Sequence, residues 1–398
     1  MSGSTINTDI AIIGGGIAGL WTLSQLRDAG YSAILFEQEA LGSYQTVASQ
    51  GMIHGGIKYS LAGAWSGISE AISAMPDVWR DCLQGRGKVD LRGANILSED
   101  FYLWSNAGTS ARVTSFFASK MLRGRVEKVK AKNYPAPLND PAFKGQVYRL
   151  IDMVLDIPSV VNTLADQHRE AIFNIDWANA SLERDNGRAL IEMPGCTVQA
   201  QSIVLAAGAG NEALIASLKG NSPAMQRRPL QQVMVKHQYQ EMFYGHCMGA
   251  NPNPRLTISS HRTLGGDPVW YLGGDLSTEG ADEEPDRLIA KAREELHELL
   301  PWIDFGETQW HTVRLDRGEP RQSSMLRPDS AFVGPLDSAD NVLVAWPTKL
   351  SLAPHLGQEI ETRLQQQNIM PTHTPDLAPL ASLGTPPIAS TYWDRLFS

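Results

Sequence analysis

The stretch DIAIIGGGIAGLWTLSQLRDAG, Asp9 to Gly30, decides the fold. Ile10 to Ile13 form an unbroken apolar run, the pattern of a strand buried on both faces. Gly14, Gly15 and Gly16 follow at once, and Leu20, Leu23 and Leu26, spaced by three, predict a helix. Gly30 stands where a helix C-cap glycine belongs. A second apolar run, SAILFE, ends on Glu37, with Gln38 beside it. Gly14, Gly16 and Gly19 thus spell G-x-G-x-x-G inside a strand–helix–strand unit. The first glycine permits the tight turn, the second lets a pyrophosphate approach the backbone, and the third lets helix and strand pack closely. The helix start, at Ile17 and Ala18, presents free N–H groups and a partial positive charge to the phosphates. Glu37, about twenty residues onward, is placed to take ribose hydroxyls. A dinucleotide site is the expectation. The motif alone does not separate FAD from NAD, although a position so early in the chain is common among FAD enzymes.

The rest of the composition narrows the class. With 398 residues the chain has ample core for one large domain or two interleaved ones. A hydrophobic share of 42% and a charged share of 19% argue against disorder. The net charge of −9 disfavours non-specific nucleic-acid binding, yet leaves room for a local basic pocket. Cys82, Cys196 and Cys247 are far apart and form no CxxC, so they read as reduced thiols. The histidines show neither HxxxH nor HExxH, and no metal site is expected. The N-terminal MSGSTINTD lacks a basic region and a cleavage site, so no signal peptide is expected, and no apolar run suffices for a membrane span. The proline-rich segment from about Pro371 to Pro387 reads as an extended strap over the surface.

Three further segments follow in order: ASQGMIHGGIKYS (Ala48–Ser60), QSIVLAAGAGNEAL (Gln201–Leu214) and DSAFVGPLDSADNVLVAWPTKLSLAPHLGQEI (Asp329–Ile360). Together with the glycine motif they resemble the D-amino-acid-oxidase-like superfamily of FAD oxidoreductases, over roughly residues 8 to 365. Within it, MIHGGIKY is similar to the I-H-G-G-x-R-Y of the glycerol-3-phosphate dehydrogenase and oxidase branch, and 2-hydroxyglutarate-oxidising enzymes carry a related I-H-A-G. TKLS, Thr348 to Ser351, resembles that branch's G-K-x-T, and TVR, Thr312 to Arg314, its G-V-R-P. MLRPD, with Arg327, falls where the family has another arginine-bearing strand. The departures are Lys58 for arginine, Leu315 for proline, and Trp346–Pro347 where glycines usually precede the lysine.

The resemblance implies an α/β fold in which a Rossmann-like FAD-binding domain is interleaved with a mixed-sheet, α+β substrate domain. Residues 1–92, 146–225 and 310–370 would form the FAD-binding part, 93–145 and 226–309 the substrate part, and 371–398 a C-terminal tail. The residues themselves are compatible with this. A helix is expected to start near Pro158, a hairpin to turn at Gly265, Gly266 and Asp267, and Leu288, Ala292, Leu296 and Leu299 to line one face of an amphipathic helix.

By the same resemblance FAD is held non-covalently by Gly14, Gly16, Ile17, Ala18, Gly19, Glu37, Gln38, Ser49, Gln50, Gly51, Ala207, Gly208, Lys349 and Leu350. Candidate catalytic residues are His54, Lys58, Tyr59, Arg314, Arg327 and Lys349. His54 reads as a base or orienting donor, as a covalent attachment point for the flavin, or as a packing residue. Lys58 is a point charge for an anion but cannot form arginine's planar two-pronged pair. The density of Arg314, Arg317, Arg321 and Arg327 in an acidic protein suggests a positive spot, with Asp316 and Glu319 as possible neutralisers of two of them. Lys349 would stabilise negative charge on the reduced flavin. His261 and Tyr271 on the hairpin read either as lining the roof of the pocket or as structural or peripheral residues.

The expected function is oxidation of a small anionic hydroxy or amino acid by hydride transfer to flavin N5, with oxygen, a quinone or a partner flavoprotein as electron acceptor. An amine or N-methyl amino-acid oxidase and a non-catalytic electron-relay subunit are the alternatives. Placement in the cytoplasm, or peripherally on the inner membrane, fits each acceptor.

Overall fold

The computed structural model describes residues 4–56, 70–106, 108, 126–249, 251, 253–322 and 330–398. Strand Ser4–Ile13 carries the opening apolar run, and Ile10, Ala11 and Ile12 are wholly buried. It pairs in parallel with Ala33–Glu37 on one side and with Cys196–Leu205 on the other. Ala33–Glu37 pairs onward with Ile172–Asn174. Cys196–Leu205 joins Arg188–Met193 at its start and Ala339–Trp346 at its end. With Ser181–Asp185 and Phe332–Leu336 this makes an eight-stranded sheet among the described residues. Ile13, Leu205 and Val344 stand in one row, so three parallel strands end level with the glycine turn. In such sheets the crevice beyond the carboxyl ends is the ligand-binding edge. Helices Ile17–Asp28, Ile157–Gln167 and Ala353–Gln366 cover one face, and Trp21 meets Trp79 there at 4.7 Å between ring centroids.

A second eight-stranded sheet runs Gln309–Pro320, Met225–Lys236, Pro268–Gly273, Pro254–Arg262, Tyr244–Met248, Phe101–Ser105, Gln146–Leu150, Val126–Lys128. The hairpin Pro254–Arg262/Pro268–Gly273 forms around Gly265, Gly266 and Asp267. Two segments that the sequence assignment grouped with the nucleotide-binding part, Gln146–Leu150 and Gln309–Pro320, are hydrogen-bonded into this second sheet. Its outer face carries Val233, Val235, Leu256, Ile258, Trp270 and Leu272, which pack under helix Pro285–Leu299. Leu288, Leu296 and Leu299 are buried there, each contributing roughly 1.5–3 kcal/mol. A small sheet of Met52–Ile53, Met153–Leu155 and Ile96–Ser98 lies against the inner face, where Met52 and Val154 meet Phe101, Tyr148, Tyr244 and Met248.

The tail is more than the extended strap expected. A short turn of 3₁₀-helix, Ala378–Leu383, buries Leu380, and residues beyond it reach the second sheet as a helix, Tyr392–Leu396, with Trp393 buried. Apolar anchors at these positions, rather than the prolines, fix its path. The three cysteines are buried and unlinked. Among the described residues no helix is long and apolar enough to cross a membrane, and no group of three His, Cys, Asp or Glu is placed to hold a metal ion.

Candidate active site

The glycine turn is built by close approach. Gly14 has φ +112°, and a β-carbon on it would stand 2.6 Å from the Ala207 Cα. A β-carbon on Gly19 would fall on the Gly14 carbonyl oxygen, so the helix cannot sit this near the strand with any other residue there. Gly16 is the N-cap of helix Ile17–Asp28, and the cap has no side-chain hydrogen bond of its own. Instead the Ile17 N–H donates to the Thr46 hydroxyl at 3.1 Å. Thr46 is buried at the edge of the anion slot, a placement that no local sequence signal announces. Glu37 is buried, and its carboxylate accepts the N–H groups of Gly15 at 2.6 Å and Glu39 at 2.9 Å. Its remaining lone pairs suit ribose hydroxyls. Gln38 is exposed beyond the strand end.

Ala207 and Gly208 are drawn to the same edge. Asn211, fully buried, accepts the Ala207 N–H at 2.8 Å and donates to the carbonyls of Leu205 and Ala345, both at 3.2 Å. The Trp346 indole donates to the Gly208 carbonyl at 2.9 Å. Gln45 reaches across to accept the Gly318 N–H at 2.9 Å. The family glycines replaced by Trp346 and Pro347 are therefore compensated by a tryptophan that ties two strand ends together.

His54 and the Lys349 turn meet. The His54 N–H donates to the Ser351 hydroxyl at 3.1 Å, and that hydroxyl in turn donates to the Met52 carbonyl at 3.3 Å. The Gly55 N–H donates to Asp152 at 3.1 Å, and the Trp79 indole to the Ser351 carbonyl at 3.0 Å. His54 and Lys349 are both buried. The Lys349 N–H bonds the Pro347 carbonyl at 2.7 Å across Thr348, whose φ is +62°. This is a γ-turn of the rare positive-φ kind, with a β-branched residue at its centre, steadied by the Thr348 hydroxyl on the Ser330 carbonyl at 3.0 Å. Lys349 then caps the 3₁₀ turn Leu350–Leu352, which leads into helix Ala353–Gln366.

The inner face of the second sheet forms the opposite wall. Tyr271, Ser259 and Tyr244 stand side by side on adjacent strands, and His246 and Thr257 sit two residues along. His246 Nδ1 lies 2.8 Å from the Thr257 hydroxyl, and its ring meets Phe101 edge-on at 4.7 Å. Tyr244 is 4% exposed, and its hydroxyl has no hydrogen-bond partner among the described residues. Burial pushes its ionisation well up, so it stays protonated and a donor. Burial likewise pushes the Tyr271 phenol up and His261 down to about 3. Sequence reasoning missed Thr46, Asp152, Tyr244 and His246.

The other expected residues divide. Ser49 accepts the Gly51 N–H at 3.4 Å, while the Gln50 amide turns away into the sheet, donating to the Tyr271 carbonyl at 2.8 Å. Arg314 is not brought to this wall. Strand alternation puts it opposite Val313 and Leu315, which pack with Ala48 and Tyr271. It is exposed, bonding the Ala281 carbonyl and Asp282, the latter at 3.0 Å. Glu319 neutralises Arg228 at 2.7 Å rather than an arginine of its own segment. Lys58, Tyr59 and Arg327 lie outside the described residues.

A sheet whose central strands are parallel, with a glycine cradle at its carboxyl edge and a second sheet set against it, is the architecture of a dinucleotide-binding protein. The comparisons with known proteins make the class specific. Residues 9–359 match the family model DAO, described as FAD dependent oxidoreductase, and the chain belongs to that family. It is 48% identical over 396 residues to "Probable FAD-dependent oxidoreductase PA4991" of Pseudomonas aeruginosa, covering 99% of each chain. The crystal structure of that FAD dependent oxidoreductase superimposes with a TM-score of 0.86, at 42% identity and 100% coverage of both chains. More distant likenesses, of fold alone, are a glycine oxidase of Geobacillus kaustophilus (TM-score 0.67, 15% identity, 94% of this chain and 98% of that one) and an L-alpha-glycerophosphate oxidase of Mycoplasma pneumoniae with FAD bound (TM-score 0.63, 14% identity, 94% and 98%). FAD is thus the cofactor, and the glycine cradle of Gly14, Gly16 and Gly19 fits its pyrophosphate, although the Ile17 N–H, expected to be free, is taken by the Thr46 hydroxyl.

Proposed function

We propose that the chain oxidises a small anionic hydroxy acid or amino acid, bound between the His54–Lys349 wall and the inner face of the second sheet. The observation that carries this is the Tyr244 hydroxyl, a buried donor without a partner among the described residues, on the face that meets the Met52 segment. Leaving a buried polar group unsatisfied costs about 1–3 kcal/mol, and a substrate carboxylate or phosphate oxygen is an acceptor that removes that cost. Lys349 is buried, and its positive charge in a dry setting counts for more than in water.

FAD, when bound, accepts the two electrons of the oxidation. The chain does the rest. Gly14, Gly16, Ile17, Ala18 and Gly19 would hold the pyrophosphate, Glu37 and Gln38 the ribose end, Ser49 to Gly51 and Ala207–Gly208 the middle, and Lys349–Leu350 the flavin end. The main-chain bonds from His54 to Ser351 and from Gly55 to Asp152 fix where the imidazole can stand, which suits a group that takes the substrate's hydroxyl or ammonium proton. Tyr244 orients the anion from above, with Lys58, Tyr59 and Arg327 assigned to the same task by the family motif. Arg314, exposed and paired with Asp282, supports a structural role better than a substrate contact.

The fold hosts both substrate chemistries, since its distant likenesses include a glycine oxidase and a glycerophosphate oxidase. Anaerobic mixing of the yellow protein with glycerol 3-phosphate, 2-hydroxyglutarate, sarcosine and D-amino acids separates them. One of these acids is expected to bleach the visible flavin band. If dithionite bleaches it and no acid does, the proposal fails.

A further inference from the structure

The tail crosses from one sheet to the other along the cofactor site. Leu41, whose side chain packs against Gly15 of the glycine turn, exchanges hydrogen bonds with it: its N–H donates to the Pro387 carbonyl at 2.8 Å, and its carbonyl accepts the Ala389 N–H at 2.9 Å. Thr391 then caps helix Tyr392–Leu396, its hydroxyl accepting the Asp394 N–H at 3.2 Å. Asp394 accepts the Leu264 N–H of the hairpin loop at 2.7 Å. So tethered, the helix lays the Trp393 ring flat on His261, 4.0 Å between centroids and 19° between planes.

His261 leads back to the cofactor segment. Its Nε2 is 3.0 Å from the Ser259 hydroxyl, which receives the Gln50 amide at 3.3 Å. Ser259 accepts the Gln50 N–H and either donates to His261 or accepts from it, and in both cases the partner is a neutral imidazole. Burial keeps it so. A parallel route runs through Tyr271, whose hydroxyl has a single proton to share between the Ala48 carbonyl at 3.0 Å and the Gln232 amide oxygen at 2.7 Å, and whose ring lies 6.1 Å from Trp393. Ala48 and Gln50 are thus held from the sheet side by groups that Trp393 covers.

We infer that Trp393 is a positioning residue for the cofactor: through His261 and Ser259 it fixes the Gln50 amide, and with it the set of the segment Ala48–Gly51 that receives FAD. This rests on the reading of the main chain of Ser49, Gln50 and Gly51 as the segment that faces the cofactor. Phe397, on the turn that follows, supplies the internal comparison. It packs edge-on against His311 at 5.1 Å and under Lys236, sharing the apolar cluster of Ala48, Tyr271 and Trp393 but not the hydrogen-bonded route through His261 and Ser259.

The test is titration of the apoprotein with FAD, following flavin fluorescence and visible circular dichroism, beside the melting temperature of the apoprotein. Trp393→Ala is expected to weaken FAD binding about tenfold and to alter the flavin spectrum. Trp393→Phe, which keeps a stacked ring, restores both. Ser259→Ala, a loss of one oxygen, reproduces the weakening with little change in melting temperature, so the idea is decided even where Trp393→Ala folds poorly. Phe397→Ala lowers the melting temperature and leaves FAD affinity and spectrum alone. If Phe397→Ala weakens FAD as much as Trp393→Ala does, or Ser259→Ala changes nothing, the tail acts by packing alone and the inference is overturned. Gln50→Ala separates the two readings. An unchanged FAD affinity and spectrum there sinks the segment's assignment itself, whereas a change there with none in Ser259→Ala or Trp393→Ala sinks only the path from the tail.

Discussion

Tyr244 is a residue whose substitution by Phe separates function from stability. Its hydroxyl is buried without a partner among the described residues, so the fold carries a cost that the phenyl ring would not. Tyr244→Phe is expected to leave the unfolding free energy unchanged or to raise it, by up to about 1–3 kcal/mol, while raising KM for the acid roughly tenfold. Chemical denaturation and steady-state kinetics on the same preparation check both halves. A loss of stability with an unchanged KM would return Tyr244 to the core. No sequence pattern marks this residue. YGHCM, Tyr244 to Met248, has a glycine and a histidine where an alternating strand would show clear polarity, and all five residues are buried. Both faces of that strand are covered, one by the packing under helix Pro285–Leu299 and the other by the small sheet of Met52 and Val154, and period-two reading is blind to such a case. His54 is the opposite example. Its neighbours Gly55 and Gly56 and the family motif drew attention to it, and the structure ties it to the Lys349 turn.

At the level of elements, the glycine turn was legible because its physics is local: tight turn, helix start and acid are all set within about thirty residues. The two connections that complete the edge are not local. Asn211 follows an Ala-Ala-Gly-Ala-Gly run that signalled cofactor contact, yet its own work is to join strand ends from Leu205 and Ala345. Asn211→Ala would leave the Ala207 N–H and those two carbonyls without their partner in a dry place. A loss of about 2–4 kcal/mol, read by urea denaturation, is expected, together with weaker FAD binding. The TKLS turn was recognisable by likeness to G-K-x-T, but not the strain in it. With φ +62° at Thr348, a glycine would relieve about 1–2 kcal/mol and forfeit about 1 kcal/mol in chain entropy plus the bond to Ser330. Thr348→Gly is accordingly expected to shift stability by no more than about 1 kcal/mol, yet to lower kcat by freeing Lys349. A wild-type kcat would mean that the γ-turn has no bearing on the lysine.

For the whole molecule, the second sheet explains why arginine density misled. In TVRLDRGEPRQSSMLRP, alternation sends Val313 and Leu315 inward and Arg314 and Asp316 outward, so the described part of the charge run is mostly a surface tied by ion pairs. A sheet buried on both sides also encloses histidines. His237 lies among Trp270 and Phe305, and burial, only partly offset by the Tyr239 backbone, pushes it down to about 4. His261, beneath Trp393, is pushed down to about 3 by burial. Their ordinary value is 6.5. Between the ordinary and the lowered values the unfolded chain binds protons that the folded chain refuses, so stability is fully present above pH about 6.5 and falls as the medium is acidified. Each histidine contributes a slope of up to about 1.4 kcal/mol per pH unit, the two together at most about 2.7, until His237 begins to protonate near pH 4. Unfolding free energies measured by denaturant at pH 7, 6, 5 and 4.5 test this. His237→Phe, which suits its aromatic surroundings, is expected to remove about half of the slope and leave FAD affinity unchanged. A slope unaltered by that substitution would assign the acid sensitivity to the carboxylates instead.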